Sequence, residues 1–213
     1  MTVSPREAPI DPAHAALLII DMQNYCAHAE GGWWRQHQPT LHFLGSLQQS
    51  VVPNLRRLQA GCREAKIEIV YSVIENMTKD GRDRSLDYRI SGIDVPKGSW
   101  DGQVLDAIAP AEDEMIFRKT SSNVFVSTNI DFVLRNLGVR SLMIAGIMTE
   151  QCVESAVRDA CDLGYLVTLV TDACTTSTAE RHESSLIGLR GYCRQRSTEA
   201  LVGEIASIRG ITA

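Results

Sequence analysis

Short unbroken apolar runs alternate along this chain with stretches whose apolar residues fall at helical spacing, and that alternation constrains the fold more than any other feature. AALLII at 15–20, IEIVYSVI at 67–74, EMIF at 114–117, SLMIA at 141–145 and YLVTLVT at 165–171 read as buried strands, with a last strand near 193–197. Between them, 47–65 places Val51, Val52, Leu55, Leu58 and Cys62 on one face, with Pro53 placed as a first-turn proline. Further helices are expected at 129–137 (closed by Gly138), from Thr149 to Gly164, at 175–190 (capped near Thr178) and at 198–208, with a short helical piece at 104–109. Strands separated by helices form a parallel sheet covered on both sides. The expected fold is therefore α/β, a three-layer doubly wound domain with a six-stranded parallel sheet, spanning 1–213 as one unit.

Two stretches interrupt the alternation. Residues 22–40 have no clear period and carry Gly31-Gly32 and Trp33-Trp34, which reads as a loop covering a pocket. Residues 76–102 are polar and rich in Arg and Asp, a long excursion of the kind that carries function or an interface.

Composition narrows the function classes. A net charge of -5 without a Lys/Arg cluster argues against a nucleic-acid partner, and no apolar run approaches the roughly 18 residues of a membrane span. The N-terminal stretch lacks a signal peptide's basic start and apolar middle. Six cysteines without a C-x-x-C pair read as reduced thiols of a cytoplasmic protein. The five histidines form no zinc-spaced cluster, so the expectation is a small-molecule substrate with no metal and no cofactor.

Cys152 sits where the 141–145 strand, the Gly146 turn and a helix meet. Unpaired backbone N–H groups and the helix dipole there favour a thiolate and can hold an oxyanion. Asp21 ends the first apolar run and Lys119 follows the third. In a parallel sheet these carboxyl ends converge. An aspartate base, a lysine cation and a cysteine nucleophile together perform acyl transfer to sulfur followed by hydrolysis. Each residue alone has a plainer reading: Asp21 as a strand-end cap, Lys119 as a surface charge beside Arg118, Cys152 as a small buried side chain.

Three motifs, LLIIDMQN at 17–24, RKTSSNVF at 118–125 and AGIMTEQCVESAVRDACDLGY at 145–165, resemble in that order the isochorismatase-like cysteine hydrolase superfamily, over nearly the whole chain. The resemblance implies an Asp21, Lys119, Cys152 triad, a non-proline cis peptide between Ile147 and Met148, and an oxyanion hole made by the N–H groups of Met148 and Cys152. It also implies a homodimer or homotetramer. Nicotinamidases of the superfamily hold a divalent metal with an Asp and histidines after the second strand. This chain has Glu75, Asn76 and Met77 there and no histidine between His42 and His182, which disfavours that activity. Isochorismatases proper keep a pocket for a bulky, doubly anionic ring and some replace the cysteine, so Cys152 favours amide chemistry.

The excursion, with Arg82, Arg84, Tyr88, Arg89 and KGSWDGQV at 97–104, is most similar to the branch hydrolysing linear ureides: biuret, triuret, ureidoacrylate and N-carbamoyl amino acids. A planar ureide needs in-plane donors and acceptors, for which Asn24, Tyr25, Gln195 and the excursion arginines are candidates. Gln195 reads equally as a solvated strand-end glutamine, and Tyr25, Trp33 and Trp34 equally as pocket wall or as packing. Cys26 is a candidate to approach the pocket as an oxidation-sensitive thiol. Two other classes stay open: a binding or scaffold member with an unreactive Cys152, and a thiol redox protein. The second needs a resolving cysteine, and Cys161 lies nine residues further along the same helix.

Overall fold

The computed structural model describes residues 4–208. The expected domain span of 1–213 takes in residues 1–3 and 209–213, which lie outside the described residues. The apolar run at 15–20 forms β1 (Ala15–Ile20), and all of its residues are buried, as a central strand covered on both faces requires. The remaining strands are β2 (Glu68–Ile74), β3 (Met115–Lys119), β4 (Ser141–Ile147), β5 (Leu166–Thr175) and β6 (Arg194–Arg196). Every neighbouring pair is parallel, in the order β3-β2-β1-β4-β5-β6. The chain winds outward from β1 to β3, then crosses to β4 and winds the other way. Its topological switch point lies between β1 and β4, and open α/β sheets bind ligands beyond the strand ends at such a point.

Helices cover the sheet. Val52–Ala65 packs on Thr198–Ile208 and on β2 and β5, while Glu154–Asp162 packs on β5 and on the short helix Val124–Ser127. At the switch point β1 and β4 approach too closely for a side chain. Gly146 has φ +126°, and a Cβ there would stand 2.1 Å from the Ile20 carbonyl oxygen. Among the described residues no helix is long and apolar enough to cross a membrane.

Several local expectations shift. The helix placed at 47–65 begins earlier, at Leu41, with the Thr40 hydroxyl accepting from the Phe43 N–H at 3.1 Å. It continues as Leu41–Ser46, a widened turn Leu47–Val51, and Val52–Ala65, so Pro53 lies well inside it. A proline lacks the N–H and its ring collides with the carbonyl four residues back. The Val52 N–H instead reaches five residues back to Leu47, and this widened turn accommodates the ring. Cys152 likewise lies on a widened turn, Thr149–Val153, ahead of the regular helix Glu154–Asp162. β5 runs to Thr175 rather than 171, and Thr178 caps the helix Ala179–Gly188. The two aperiodic stretches hold short helices: Asn24–Ala27 and Gly32–Gln36 in the first, Leu86–Ile90 in the second.

Candidate active site

Asp21 follows β1 in a left-handed backbone conformation (φ +54°), which turns the chain away from the sheet at the switch point. Its N–H donates to the Ser72 carbonyl at 3.0 Å, and the Ser72 hydroxyl donates to Oδ1 at 3.0 Å. Oδ2 lies 2.9 Å from Lys119 Nζ, so the second carboxylate oxygen faces a charge. Lys119 ends β3 and is wholly buried. Its ammonium donates to the Tyr88 hydroxyl at 2.9 Å, the Ser121 carbonyl at 3.0 Å and Cys152 Sγ at 3.4 Å. That uses all three N–H groups. Burial works against the charge on Lys119, but Asp21, Cys152 and Tyr88 around it hold its pKa well above the ordinary value.

The Ile147–Met148 peptide is cis, and the Met148 carbonyl accepts the N–H groups of Gln151 at 3.0 Å and Val153 at 3.3 Å, fixing the turn that presents Cys152. At this turn burial works against the thiolate that a helix end favours. Burial pushes the Cys152 thiol up to about 12, Lys119 opposes that shift and the Asp21 carboxylate adds to it. Desolvation outweighs the nearby cation, so the resting group is a thiol.

The three residues gather at a cavity of about 260 Å³; Asp21 and Cys152 line it, with Lys119 beneath. This is small beside the roughly 300–1,000 Å³ of pockets for drug-sized ligands. Tyr25, Trp33, Trp34 and Met148 line it as well, so these aromatics of the first aperiodic stretch form wall rather than distant packing. Cys26 also lines it, with its Sγ donating to the Asp21 carbonyl at 3.1 Å and burial raising its thiol well above the usual value.

Other expected contacts fall elsewhere. The Asn24 side chain donates to the Trp100 carbonyl at 3.0 Å, a tie between loops, and Asn24 does not line the cavity. Gln195 pairs with Leu169, Leu169 with Ile144 and Ile144 with Leu18, which sets Gln195 three residues below Asp21 along the sheet. Its side chain donates to the Leu186 carbonyl at 2.6 Å. The excursion arginines are also engaged away from the cavity: Arg82 with Asp80, Arg84 with the Gly81 and Ile93 carbonyls, and Arg89 at the surface. What the excursion does contribute is Tyr88, the hydroxyl that orients Lys119. Glu75 accepts from Arg118 at 2.6 Å and from the Gly98 N–H at 2.8 Å, and Asn76 donates to Asp94 at 2.7 Å, so this pair fastens the excursion to the sheet edge.

Two charged cavity residues were not anticipated. Glu150, two residues before Cys152, and Arg181, in the first turn of the helix after β5, pair at 2.8 Å. Their signal was positional: Glu150 follows the carboxyl end of β4, at the switch point, and Arg181 follows that of the neighbouring β5.

The isochorismatase domain family matches residues 15–200. The chain is 30% identical over 191 residues to ureidoacrylate amidohydrolase RutB of Agrobacterium fabrum, covering 81% of this chain and 82% of that one. It is likewise 30% identical over 185 residues to ureidoacrylate amidohydrolase RutB of an Enterobacter species, covering 79% and 78%. Among solved structures, a cysteine hydrolase from Pseudomonas syringae superposes with a TM-score of 0.83 at 22% identity, over 97% of this chain and 99% of that one. N-carbamoylsarcosine amidase from Thermoplasma acidophilum superposes with a TM-score of 0.70 at 22% identity, over 87% and 97%. At such identities the structural likenesses speak to fold.

Proposed function

This chain belongs to the isochorismatase family, and we propose that within it the protein is a cysteine amidohydrolase that cleaves a C–N bond of a small linear ureide or carbamoyl amide. The observation that carries this reading is the meeting of Asp21, Lys119 and Cys152 at one small cavity. The amidohydrolase names of its relatives support it.

The thiol starts protonated, so attack and proton transfer run together. Cys152 Sγ bonds to the carbonyl carbon as its proton passes to Asp21, and the backbone N–H groups of Met148 and Cys152 receive the oxyanion. Lys119 pairs with Asp21 before that transfer and stabilises developing charge on sulfur. Asp21 returns the proton to the leaving nitrogen, and the C–N bond breaks to release ammonia or an amine. Water then attacks the carbon of the sulfur-bound acyl or carbamoyl group and gives a proton to Asp21. The C–S bond breaks, sulfur regains the proton, and the acid or carbamate departs. Ser72 and Tyr88 hold Asp21 and Lys119 in register throughout.

The reading extends to one domain working in the cytoplasm on a small molecule, as a dimer or tetramer. Ammonia release from biuret, triuret, ureidoacrylate, N-carbamoyl amino acids and nicotinamide, with a product assay on isochorismate, tests it beside Cys152→Ala. Cysteine-dependent release from a ureide is expected. Turnover confined to nicotinamide or isochorismate would overturn the substrate class, and full activity in Cys152→Ala would overturn the mechanism.

A further inference from the structure

Asp21 and Lys119 are held from the sheet, but the turn that carries Cys152 is also held from a helix that the reaction does not otherwise use. The helix Ala179–Gly188, which follows β5, sends three side chains to that turn. Arg181 pairs with Glu150 at 2.8 Å, the Ser185 hydroxyl donates to Glu154 Oε2 at 2.6 Å and to the Thr149 carbonyl at 3.4 Å, and His182 Nδ1 shares a hydrogen bond with the Thr149 hydroxyl at 2.9 Å. These ties differ in weight. The Arg181 side chain is half in solvent, where water screens its pair, and 3.4 Å is long for a hydroxyl bond. Thr149 is wholly buried, so its hydroxyl has no water to turn to, and among the described residues His182 is its hydrogen-bond partner. Neither Thr149 nor His182 lines the cavity, so the pair acts on the turn and not on a ligand.

Thr149 stands between the two backbone donors proposed for the oxyanion: it follows Met148 and opens the widened turn Thr149–Val153 on which Cys152 lies. Within the turn, the N–H groups of Gln151 and Val153 converge on the Met148 carbonyl. Those bonds fix the shape of the turn, whereas the bond to His182 fixes its placement against the neighbouring helix. From this we infer that His182 is a positioning residue: through Thr149 it holds the Met148 and Cys152 N–H groups, and the thiol beside them, in register with the substrate carbonyl. Oxyanion donors act at about 2.7–3.1 Å, and a displacement of about 1 Å can cost roughly 10²-fold in rate. His182 transfers no proton in this role. The kinetic consequence rests on the amidohydrolase reading; the tether itself does not.

Kinetics and amide exchange on the full chain test it together. His182→Ala should lower kcat about 10- to 100-fold on the ureide that the wild-type protein hydrolyses, with KM little changed. His182→Asn, whose side-chain amide reaches the place of Nδ1, should recover most of that loss, which a general loosening of the helix would not allow. Thr149→Val keeps the shape of the side chain and removes the hydroxyl. It should match His182→Ala, the two combined should cost little more than either alone, and it keeps the test decisive if His182→Ala folds poorly. Hydrogen exchange followed by mass spectrometry reads the tether without substrate: exchange should quicken across 148–153 in both variants and stay unchanged in β1 and β2. Unchanged kcat, a rise in KM alone, no recovery in His182→Asn, additive losses, or unchanged exchange at 148–153 would overturn the inference. If the wild-type protein hydrolyses no ureide, the hydrolase reading falls and exchange alone decides: quickening at 148–153 upholds the tether, and its absence overturns it.

Discussion

Two acid–base pairs meet one cavity, and they differ mainly in their access to water. Lys119 and Asp21 are 0% and 2% exposed, whereas Arg181 and Glu150 are 55% and 17% exposed. In the first pair each charge is tied to the fold: Lys119 donates to three groups and Asp21 accepts from Ser72. In the second the guanidinium sits half in solvent. A buried pair missing one partner leaves an uncompensated charge, at a cost of roughly 3–5 kcal/mol, while exposed pairs contribute about 0–1 kcal/mol. The same chemistry is thus rigid at one end of the cavity and adjustable at the other. The reacting groups occupy the rigid end.

The largest expected effect isolates chemistry from that rigidity. Cys152→Ala should reduce turnover on the order of 10⁴-fold or more, while the thermal midpoint moves little. Ammonia release and calorimetry on one preparation check both halves. A large midpoint loss would mean that the thiol holds the buried pair together rather than serving it.

Next is the contrast itself. Lys119→Met keeps much of the side-chain volume and strands Asp21, so urea unfolding should register a loss of about 3–5 kcal/mol. Arg181→Gln should lose no more than about 1 kcal/mol. Equal losses would erase the distinction between the two ends.

The remaining effect is in pH. Burial pushes the thiols of Cys62, Cys152, Cys174 and Cys193 each up to about 12, against an ordinary value of 9.0. Between these values the unfolded chain has lost protons that the native chain retains. Stability is therefore full below about pH 9 and declines as pH climbs toward about 12. Denaturant midpoints across that range should fall, and Cys152→Ala should fall less steeply. Alkylation of Cys152 in the native protein should be slow near neutrality and quicken over the same range.

How much of this was legible in the sequence differs between the two ends. Asp21 and Cys152 could be placed because a strand buried on both faces is written as an unbroken apolar run, so its carboxyl end is visible as the first polar residue or turn. Lys119 followed from the same logic. Gln195 did not, because strand ends give no register: β6 has three residues paired to the early part of β5, while β5 continues to Thr175. The protonated state of Cys152 was illegible for a related reason, since a helix N-terminus is a local feature and desolvation is a tertiary one. Tyr88 and Ser72 act through side chains 31 and 51 residues from their partners, a separation no periodicity encodes. The adjustable pair escaped notice because a glutamate and an arginine after strand ends look like ordinary surface charges.

The aromatic wall gives the cavity an optical consequence. Of the chain's three tryptophans, Trp33 and Trp34 line the cavity, and Trp33 stacks on His37 with ring centroids 4.1 Å apart. Emission from this protein is thus weighted toward the place where a ligand would sit, with an imidazole quencher stacked on one of the two emitters. Occupancy can then be followed by unlabelled fluorescence, and the site announces its own filling in any titration that leaves the protein intact.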